Sequence, residues 1–332
     1  MLAAVHDRYG PPEVVHLREV PDPVPGPGEV LVRVRAAGVT TADWRLRAAA
    51  FPGALVVPGR LIAGLRRPRH PVLGGDFAGE VAAVGPGAAG FAPGDRVFGT
   101  SGFGAHAERV AVRASGAVAP IPAAPARPAG LPFAEAAALP FGALAALVAL
   151  RDAARLRAGE RLLVMGASGG VGVCAVQIGA AIGARVTGTA SPRNHDLLRA
   201  LGAERAWDYA DGPVPPDPPF DVVLDAAGFG SFSAVRPRLA PGGRFVPLTF
   251  GLREIGQALG TMRAGPGGRS VRIATVGERR ADLDAVAAMA AAGTLRPVID
   301  RRYPFAAVAE AHRHVEGRRR SGAVILEAIG GG

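Results

Sequence analysis

The chain has 332 residues, of which 49% are hydrophobic, and its formal net charge is +10 at pH 7. This length favours two domains that share a cleft, and the apolar content excludes an intrinsically disordered chain. A single cysteine, Cys174, excludes intramolecular disulfide bonds and a cysteine-rich zinc site, and it is typical of a reducing compartment. Together with the early charged residues Asp7 and Arg8, it predicts a cytoplasmic protein without a signal peptide.

All 38 basic residues are arginine, but they do not form a nucleic-acid-binding pattern. The densest basic runs, at 66–69 and 318–320, are short and lack the interleaved aromatic residues that stack on bases. We therefore interpret them as a solvated basic surface and expect no nucleic-acid partner. The longest apolar segment, at 136–150, has 15 residues and contains Pro140, which predicts a buried helix and no membrane partner.

The first 120 residues are predicted to be rich in β-strands. Residues 29–39 (EVLVRVRAAGV) alternate apolar and polar side chains, as a strand buried on one face does. Two further strand-like segments, FAGEVAAVG and DRVFGT, follow with glycine- and proline-rich turns between them. The proline-rich segment at 119–132 then predicts a linker or a wrap across a surface.

After this segment, apolar strand-like runs alternate with helical stretches: RLLVMG, VGVCAVQIGAAIG, ARVTGTA, HDLLRALGA, FDVVLDAAG and GGRFVPLTF. Near-continuous apolar strands that alternate with helices indicate a parallel, doubly wound sheet buried on both faces. The last part of the chain predicts a helix at 281–293, a strand at 295–304, a helix at 305–317 and a strand at 322–329. We expect His312 and His314 to lie on the surface of that second helix.

A glycine-dense turn, GASGGVG at 166–172, lies between the first of these strands and its helix. The N-terminus of a helix offers unpaired N–H groups to an anion, and glycines let the backbone approach a pyrophosphate. The alternative is a tight turn that needs only flexibility. The position of the turn inside a strand–helix–strand unit favours dinucleotide binding. The predicted pyrophosphate-binding residues are Ala167, Ser168, Gly169, Gly170, Val171 and Gly172, with Ala167 in place of the fingerprint's first glycine.

The next strand ends without the acidic residue that binds the ribose of NAD. Thr189, Ser191 and Arg193 stand there instead, and a hydroxyl with a guanidinium suits the 2′-phosphate of NADPH. Ser191 could also be a helix N-cap with Pro192 at the first helical position, and both roles are compatible. Cys174 falls on the apolar face of the helix after the turn and is interpreted as a core residue.

Several long motifs resemble one family. They are GPGEVLVRVRAAGVTTADWRLR (26–47), HPVLGGDFAGEVAAVGPGAAGFAPGDRVFG (70–99), GAHAERVAV (104–112), AAALPFGALAAL (136–147), the glycine turn, LGAERAWDY (201–209) and the segment at 295–326. The chain resembles the medium-chain dehydrogenase/reductase superfamily, in its zinc-independent quinone oxidoreductase-like branch. The resemblance implies a GroES-like, β-rich catalytic domain at 1–123 and 277–332, and a Rossmann domain at 124–276.

The resemblance also implies an active site between the domains, NADP(H) as cofactor, no zinc, a homodimer, and a small apolar carbonyl compound or quinone as substrate. It places Tyr209 with Ser191 and Arg193 around the 2′-phosphate. Gly228 and the segment Thr249, Phe250 and Gly251 are expected beside the nicotinamide ribose. The zinc-binding cysteine and histidine of metal-dependent relatives are missing from GVTTAD and GGDFAGEV.

Three departures from the family pattern bear on activity. Thr40 replaces an asparagine, Ala145 replaces a threonine, and residues 45–55 hold no tyrosine that could donate a proton. The remaining candidates for a proton-transfer role are Thr40, Asp43 and His106. Asp43 could instead cap a helix, and His106 could be a core or interface residue.

The sequence therefore predicts an NADPH-dependent reductase that transfers a hydride to a quinone or an α,β-unsaturated carbonyl compound. The departures keep two alternatives open. One is a redox-silent relative that binds NADPH as a scaffold or sensor. The other is a non-redox tailoring enzyme, such as a cyclase, that uses the same cleft.

Overall fold

The computed structural model describes residues 1–52, 56–123, 129–216, 219–262, 265, 267–277, 279–327 and 329. Its strands are β1 (Leu2–Val5), β2 (His16–Glu19), β3 (Glu29–Val39), β4 (Asp76–Val84), β5 (Arg96–Thr100), β6 (Arg109–Arg113), β7 (Val118–Pro120), β8 (Arg161–Met165), β9 (Arg185–Ala190), β10 (Arg205–Asp208), β11 (Phe220–Asp225), β12 (Leu239–Pro247), β13 (Ser270–Val271), β14 (Ile299–Pro304) and β15 (Ala323–Glu327). Its α-helices are α1 (Thr41–Ala48), α2 (Val56–Ala63), α3 (Phe133–Ala137), α4 (Pro140–Leu147), α5 (Gly172–Ile182), α6 (His195–Ala200), α7 (Phe232–Val235), α8 (Leu252–Thr261), α9 (Arg280–Ala291) and α10 (Val308–Glu316).

A mainly antiparallel sheet takes its strands from both ends of the chain. Its order is β14-β15-β3-β4-β5-β7, and β6 also pairs with β3. The alternation in β3 turns Val30, Val32 and Val34 into the core, where each is 0% exposed. The late strand β15 runs antiparallel to β3 and pairs Val324 with Val39. The C-terminal segment therefore completes the sheet begun by the N-terminal segment.

A second large sheet is parallel and has six strands, in the order β10-β9-β8-β11-β12-β13. The chain starts at the central β8, moves outward to β10, and then crosses over to β11 on the other side. This is the doubly wound order whose crevice, at the carboxyl ends of the central strands, binds ligands. The predicted parallel sheet is confirmed, and its strands are buried on both faces, as Leu162, Leu163 and Val164 of β8 show.

The apolar segment expected as one buried helix is longer and divided. A helical run of 21 residues, Phe133–Ala153, consists of α3, α4 and a π-helical turn at Val148–Ala153. Its length and composition match those of a membrane span, but 78% of its most apolar window is buried inside the protein. Such burial is also found in the core helix of a soluble protein. Pro140 begins α4 because it has no N–H to donate, a position it tolerates at the first helical turn.

The C-terminal elements α9, β14, α10 and β15 form where the sequence predicts them. One expectation about them is wrong: His312 is 0% exposed and does not lie on the surface. It belongs to the face of α10 that packs against α1, so its ring is enclosed by the catalytic-domain core. His314 is partly exposed, and its ring contacts Tyr303 and Asp300.

The two large sheets take their strands from different parts of the chain, and β1 and β2 form a separate two-stranded sheet. Strands of the first sheet come from residues 29–120 and 299–327, and those of the second from 161–271. The boundary at 123/124 stays a prediction, because residues 124–128 of the proline-rich segment lie outside the described residues.

Candidate active site

The glycine turn joins β8 to α5 at the carboxyl edge of the parallel sheet. Its tightness depends on Gly172, where a β-carbon would lie 2.2 Å from the Gly166 carbonyl oxygen and 2.7 Å from Ala167. Gly166 itself has a φ of 73°, in the left-handed region that favours glycine. Among the described residues, no backbone or side-chain acceptor takes the N–H groups of Gly170 and Val171. Free N–H groups at the start of an 11-residue helix can bind an anion.

The C-terminal segment of the catalytic domain lies directly on this turn. Gly322 donates its N–H to the Ser168 carbonyl at 2.9 Å and forms a parallel bridge with Gly169. These contacts bring the two domains together at the point where a pyrophosphate is expected. The turn is therefore one wall of an interdomain cleft.

The residues expected at the adenosine phosphate follow the end of β9. Ser191 precedes a short 3₁₀ turn but makes no side-chain cap hydrogen bond, so its hydroxyl is not used as a cap. The exposed Arg193 donates from Nη2 to the Arg319 carbonyl at 2.8 Å. β10 pairs Asp208 with Ala190, so Tyr209 and Ser191 are the residues that directly follow the last paired residues of the two neighbouring strands.

Thr189 differs from these residues because it is buried. Its hydroxyl oxygen accepts a hydrogen bond from the N–H of Gly166 at 3.1 Å. Its contribution in this structure is to hold the beginning of the glycine turn.

The loops after β11 and β12 meet at the same edge of the sheet. A β-carbon on Gly228 would lie 3.1 Å from the Thr249 hydroxyl oxygen, so the two expected ribose neighbours are adjacent. Phe250 is partly buried, and Gly251 begins α8 by donating its N–H to Glu254.

Asp225, which sequence reasoning did not single out, organises the first of these loops. Its carboxylate accepts from the N–H groups of Ala227, Gly228 and Gly230 at 2.7–3.0 Å. An acidic residue that ends an apolar strand just before a glycine is the available sequence signal. We assign Asp225 a positioning role.

On the catalytic-domain side, Thr40 and Asp43 form a capping box at the start of α1. Asp43 Oδ2 accepts from the Thr40 N–H at 2.7 Å and from its hydroxyl at 2.6 Å, while Oδ1 accepts from the Gly74 N–H at 3.2 Å. The helix-cap interpretation of Asp43 therefore describes its geometry. Thr40 lines the cleft, with its hydroxyl oriented by Asp43.

His106, the third predicted proton-transfer residue, lies in the catalytic-domain core. It is 0% exposed, its Nε2 is 2.9 Å from the Gly38 carbonyl oxygen, and its ring packs edge-on against His312. This position agrees with the core interpretation. Ala145, where relatives carry threonine, is buried on α4.

Asp76 lines the cleft with Thr40, Gly170 and Arg320. Burial, and then the nearby charge of Asp43, raise the pKa of the Asp76 carboxyl well above its ordinary value, although Oδ2 accepts from the Phe141 N–H at 2.9 Å. A raised pKa favours the protonated form of a carboxyl group at the wall of the cleft. The sequence pattern offered no signal for this, because the effect arises from burial.

The run 318–320 was expected to be solvated, and for Arg320 this is wrong. Its guanidinium donates to the Thr41 hydroxyl at 2.8 Å and to the Val315 carbonyl at 3.0 Å, and burial lowers its pKa to about 10. A β-carbon on Gly170 would lie 4.0 Å from its Nη2. A partly buried cation therefore lies beside the N-terminus of α5.

The residues at the cleft do not suit a zinc ion. Within the described part of the chain, no group of three or more His, Cys, Asp or Glu side chains could hold a metal. Cys174 lies on the buried face of α5, where desolvation raises the pKa of its thiol to about 12. A thiol that stays protonated is a poor zinc ligand.

Comparison with known proteins agrees with this geometry. Residues 26–123 match the alcohol dehydrogenase GroES-like domain family, and residues 201–326 match the zinc-binding dehydrogenase family. A quinone oxidoreductase of Pseudomonas aeruginosa is 32% identical over 340 residues, which cover 96% of this chain and 97% of that protein. The structure of the quinone oxidoreductase from Coxiella burnetii has a TM-score of 0.84 and 27% identity, covering 98% of this chain and 99% of that one.

The chain also resembles part of much larger proteins. It is 34% identical over 324 residues to the pikromycin polyketide synthase component PikAII of Streptomyces venezuelae, which covers 92% of this chain and 8% of that protein. It spans 5–13% of the first polyketide synthases that it matches. The likeness to the quinone oxidoreductases, by contrast, extends over nearly the full length of both chains. From its two sheets, its cleft and these relatives, we conclude that the chain belongs to the medium-chain dehydrogenase/reductase superfamily, in the quinone oxidoreductase-like branch.

Proposed function

We propose that the protein is a zinc-independent, NADPH-dependent reductase that transfers a hydride to a quinone or an α,β-unsaturated carbonyl compound. The observation that carries the proposal is the glycine turn, where the N–H groups of Gly170 and Val171 have no acceptor among the described residues and Gly170 lines the interdomain cleft. The carboxyl ends of three parallel strands converge there, which is where doubly wound folds bind dinucleotides. The quinone oxidoreductases among the relatives support the reaction class.

The residues present fit a dinucleotide phosphate. The N-terminus of α5 and the partly buried Arg320 supply positive charge for a pyrophosphate. Ser191 and Arg193 supply a hydroxyl and a guanidinium for a 2′-phosphate, at a strand end followed by no acidic residue. When bound, the nicotinamide supplies the hydride.

The residues of the catalytic domain that line the cleft stabilise the negative charge that develops on the acceptor. Reduction of an enone carbonyl system leaves negative charge on oxygen, and protonation completes the reaction. The carboxyl of Asp76 lines the same cleft, and its raised pKa favours the protonated form, which can donate a hydrogen bond to that oxygen. Thr40 also lines the cleft, but its hydroxyl already donates its proton to Asp43. No step needs a metal ion, and no donor set for one is proposed.

The test is a fluorescence titration of the protein with NADPH and NADH, followed by a panel of quinones and enones. We expect tight NADPH binding, and NADPH oxidation only when an acceptor is present. Arg193→Gln should weaken NADPH binding by about tenfold or more, because a charge-assisted hydrogen bond contributes about 1.5–3 kcal/mol. NADH, which lacks the phosphate, should bind equally to both proteins.

Arg199→Gln is the matched control, since Arg199 is exposed on α6 and pairs only with Asp196 among the described residues. It removes the same charge without touching the strand end. Tight NADPH binding without turnover would favour the scaffold or cyclase alternatives. Absence of NADPH binding would refute the role of Ser191 and Arg193. The homodimer and the cytoplasmic location remain proposals drawn from the resemblance and the cysteine content.

A further inference from the structure

Two arginines of the catalytic domain, Arg45 and Arg318, flank the ring of Trp44. Their guanidinium carbons lie 6.0 and 5.7 Å from its centroid. We call these two residues the arginine pair. They come from distant parts of the chain, α1 and the segment just after α10. Only the assembled catalytic domain brings them together.

The arginine pair reaches across to the Rossmann domain. Arg45 donates from Nη2 to the Thr249 hydroxyl at 3.0 Å, in the loop after β12. The Arg318 guanidinium lies 5.2 Å from the ring of Phe229, in the loop after β11. These are the loops expected beside the nicotinamide ribose. The arginine pair therefore stands at the reacting end of the cleft.

The charge of the arginine pair is uncompensated. Among the described residues, the two guanidinium groups contact the Thr249 hydroxyl and the rings of Trp44 and Phe229, and neither forms an ion pair with a carboxylate. Burial, and then the charge of Arg318, lower the pKa of the Arg45 guanidinium. Arg318 is held there with a positive φ of 52°, an uncommon backbone conformation for a residue with a side chain. Like charges that converge without a counter-ion are unfavourable, and an anionic ligand relieves the repulsion.

The cofactor's pyrophosphate already has a closer cation. Arg320 lies beside Gly170, next to the N-terminus of α5. The adenosine phosphate is expected at Ser191 and Arg193, at the end of β9. The arginine pair instead contacts the loops after β11 and β12, so its charge is available to the acceptor.

We propose that the arginine pair binds an anionic group of the hydride acceptor. The preferred substrate is then an α,β-unsaturated carbonyl compound or quinone that carries a carboxylate or a phosphate. This inference rests on the proposed function. It names the substrate class for the same cleft, and it makes Arg45 and Arg318 specificity-determining residues.

The experiment compares benzylideneacetone derivatives that differ only in the para substituent: carboxylate, phosphonate or the neutral carboxamide. The readout is the ratio of kcat/KM for an anionic derivative to that for the carboxamide, with NADPH as reductant. We expect a ratio of about tenfold or more, falling as salt screens the charges. The carboxylate and phosphonate arms distinguish the two sources of negative charge.

Arg45→Gln and Arg318→Gln should each lower this ratio by about tenfold, because each removes one cation. Arg8→Gln is the control. It removes the same charge at an exposed position just after β1, outside the arginine pair, and should leave the ratio unchanged. General damage to the enzyme lowers kcat/KM for the anionic derivative and for the carboxamide alike, so it does not change their ratio. The melting temperature of each variant reports whether it is folded.

Several outcomes would overturn the inference without touching the reductase. Equal kcat/KM for charged and neutral derivatives in the wild type is one. A weaker NADPH affinity in the variants with an unchanged ratio is another, and it would assign the arginine pair to the cofactor. If no derivative is reduced and the panel of quinones and enones is not reduced either, the proposed function fails, and calorimetry on the NADP⁺-saturated protein decides the inference separately. Tighter binding of an anionic derivative than of the carboxamide, lost in Arg45→Gln, would support it, and equal binding would refute it.

Discussion

The glycine turn makes a sharp prediction for Gly172→Ala. The added methyl group would lie 2.2 Å from the Gly166 carbonyl oxygen, whereas ordinary contacts begin at 3.4 Å. The start of α5 must therefore move by more than an ångström, or the turn must open. Overpacking of this kind costs about 1–3 kcal/mol of stability. It also displaces the N–H groups of Gly170 and Val171, whose hydrogen bonds to a phosphate are worth about 1.5–3 kcal/mol each.

The assay measures two quantities on the same variant, the melting temperature and the dissociation constant for NADPH. We expect the melting temperature to fall by several degrees and the dissociation constant to rise by about tenfold or more. Gly256→Ala is the control, because a β-carbon there meets no atom within 4 Å and α8 gains a better helix former. It should bind NADPH normally. Unchanged NADPH affinity in Gly172→Ala would refute the assignment of this turn to the pyrophosphate.

Two further predictions concern buried ionisable side chains in the catalytic domain. Burial lowers the pKa of His312 well below its ordinary value of 6.5, so the unfolded chain takes up a proton that the native protein does not. The contribution of His312 to the free energy of unfolding should therefore be complete above pH 6.5 and decrease as the pH falls below that value. In melting curves recorded at acid pH, His312→Gln should reduce this decrease. The control His70→Gln, at an exposed position, should not reduce it. Glu316→Gln removes the charge partner of the fully buried Arg47, 2.7 Å away, and should cost about 1–3 kcal/mol in thermal unfolding. The exposed Glu204→Gln should cost less than about 1 kcal/mol.

Each of these has a clear contrary result. Equal acid sensitivity of the wild type and His312→Gln would show that other groups drive acid unfolding. Equal melting temperatures for the Glu316 and Glu204 variants would show that Arg47 does not need its partner.

Much of the fold could be predicted from local patterns. The period-two alternation at 29–39 predicts β3 with the observed bounds, and the alternation of apolar strands and helices predicts the parallel sheet. These predictions succeed because a strand or helix buried on a defined face repeats its apolar residues at a fixed spacing. The glycine turn is also local, since its strand, turn and helix are consecutive in the chain.

The cleft could be predicted only in part. Ser191 and Arg193 follow a strand end that the sequence already places beside the turn. By contrast, Asp76, Arg45 and Arg318 carry no sequence signal. The pKa of Asp76 depends on burial, and the arginine pair depends on a contact between α1 and the end of α10.

The sequence by itself therefore determined the strand–helix order and the family, and it predicts a phosphate-binding role for the glycine turn. Only the tertiary structure decided that His312 is buried and that the Arg320 side chain lies beside Gly170. It also decided that the Thr40 hydroxyl donates a hydrogen bond to Asp43. The physical reason is the range of the interactions. Periodicity and turn chemistry act between neighbours in the chain, whereas desolvation and charge depend on residues such as Thr41 and Arg320 that are 279 positions apart.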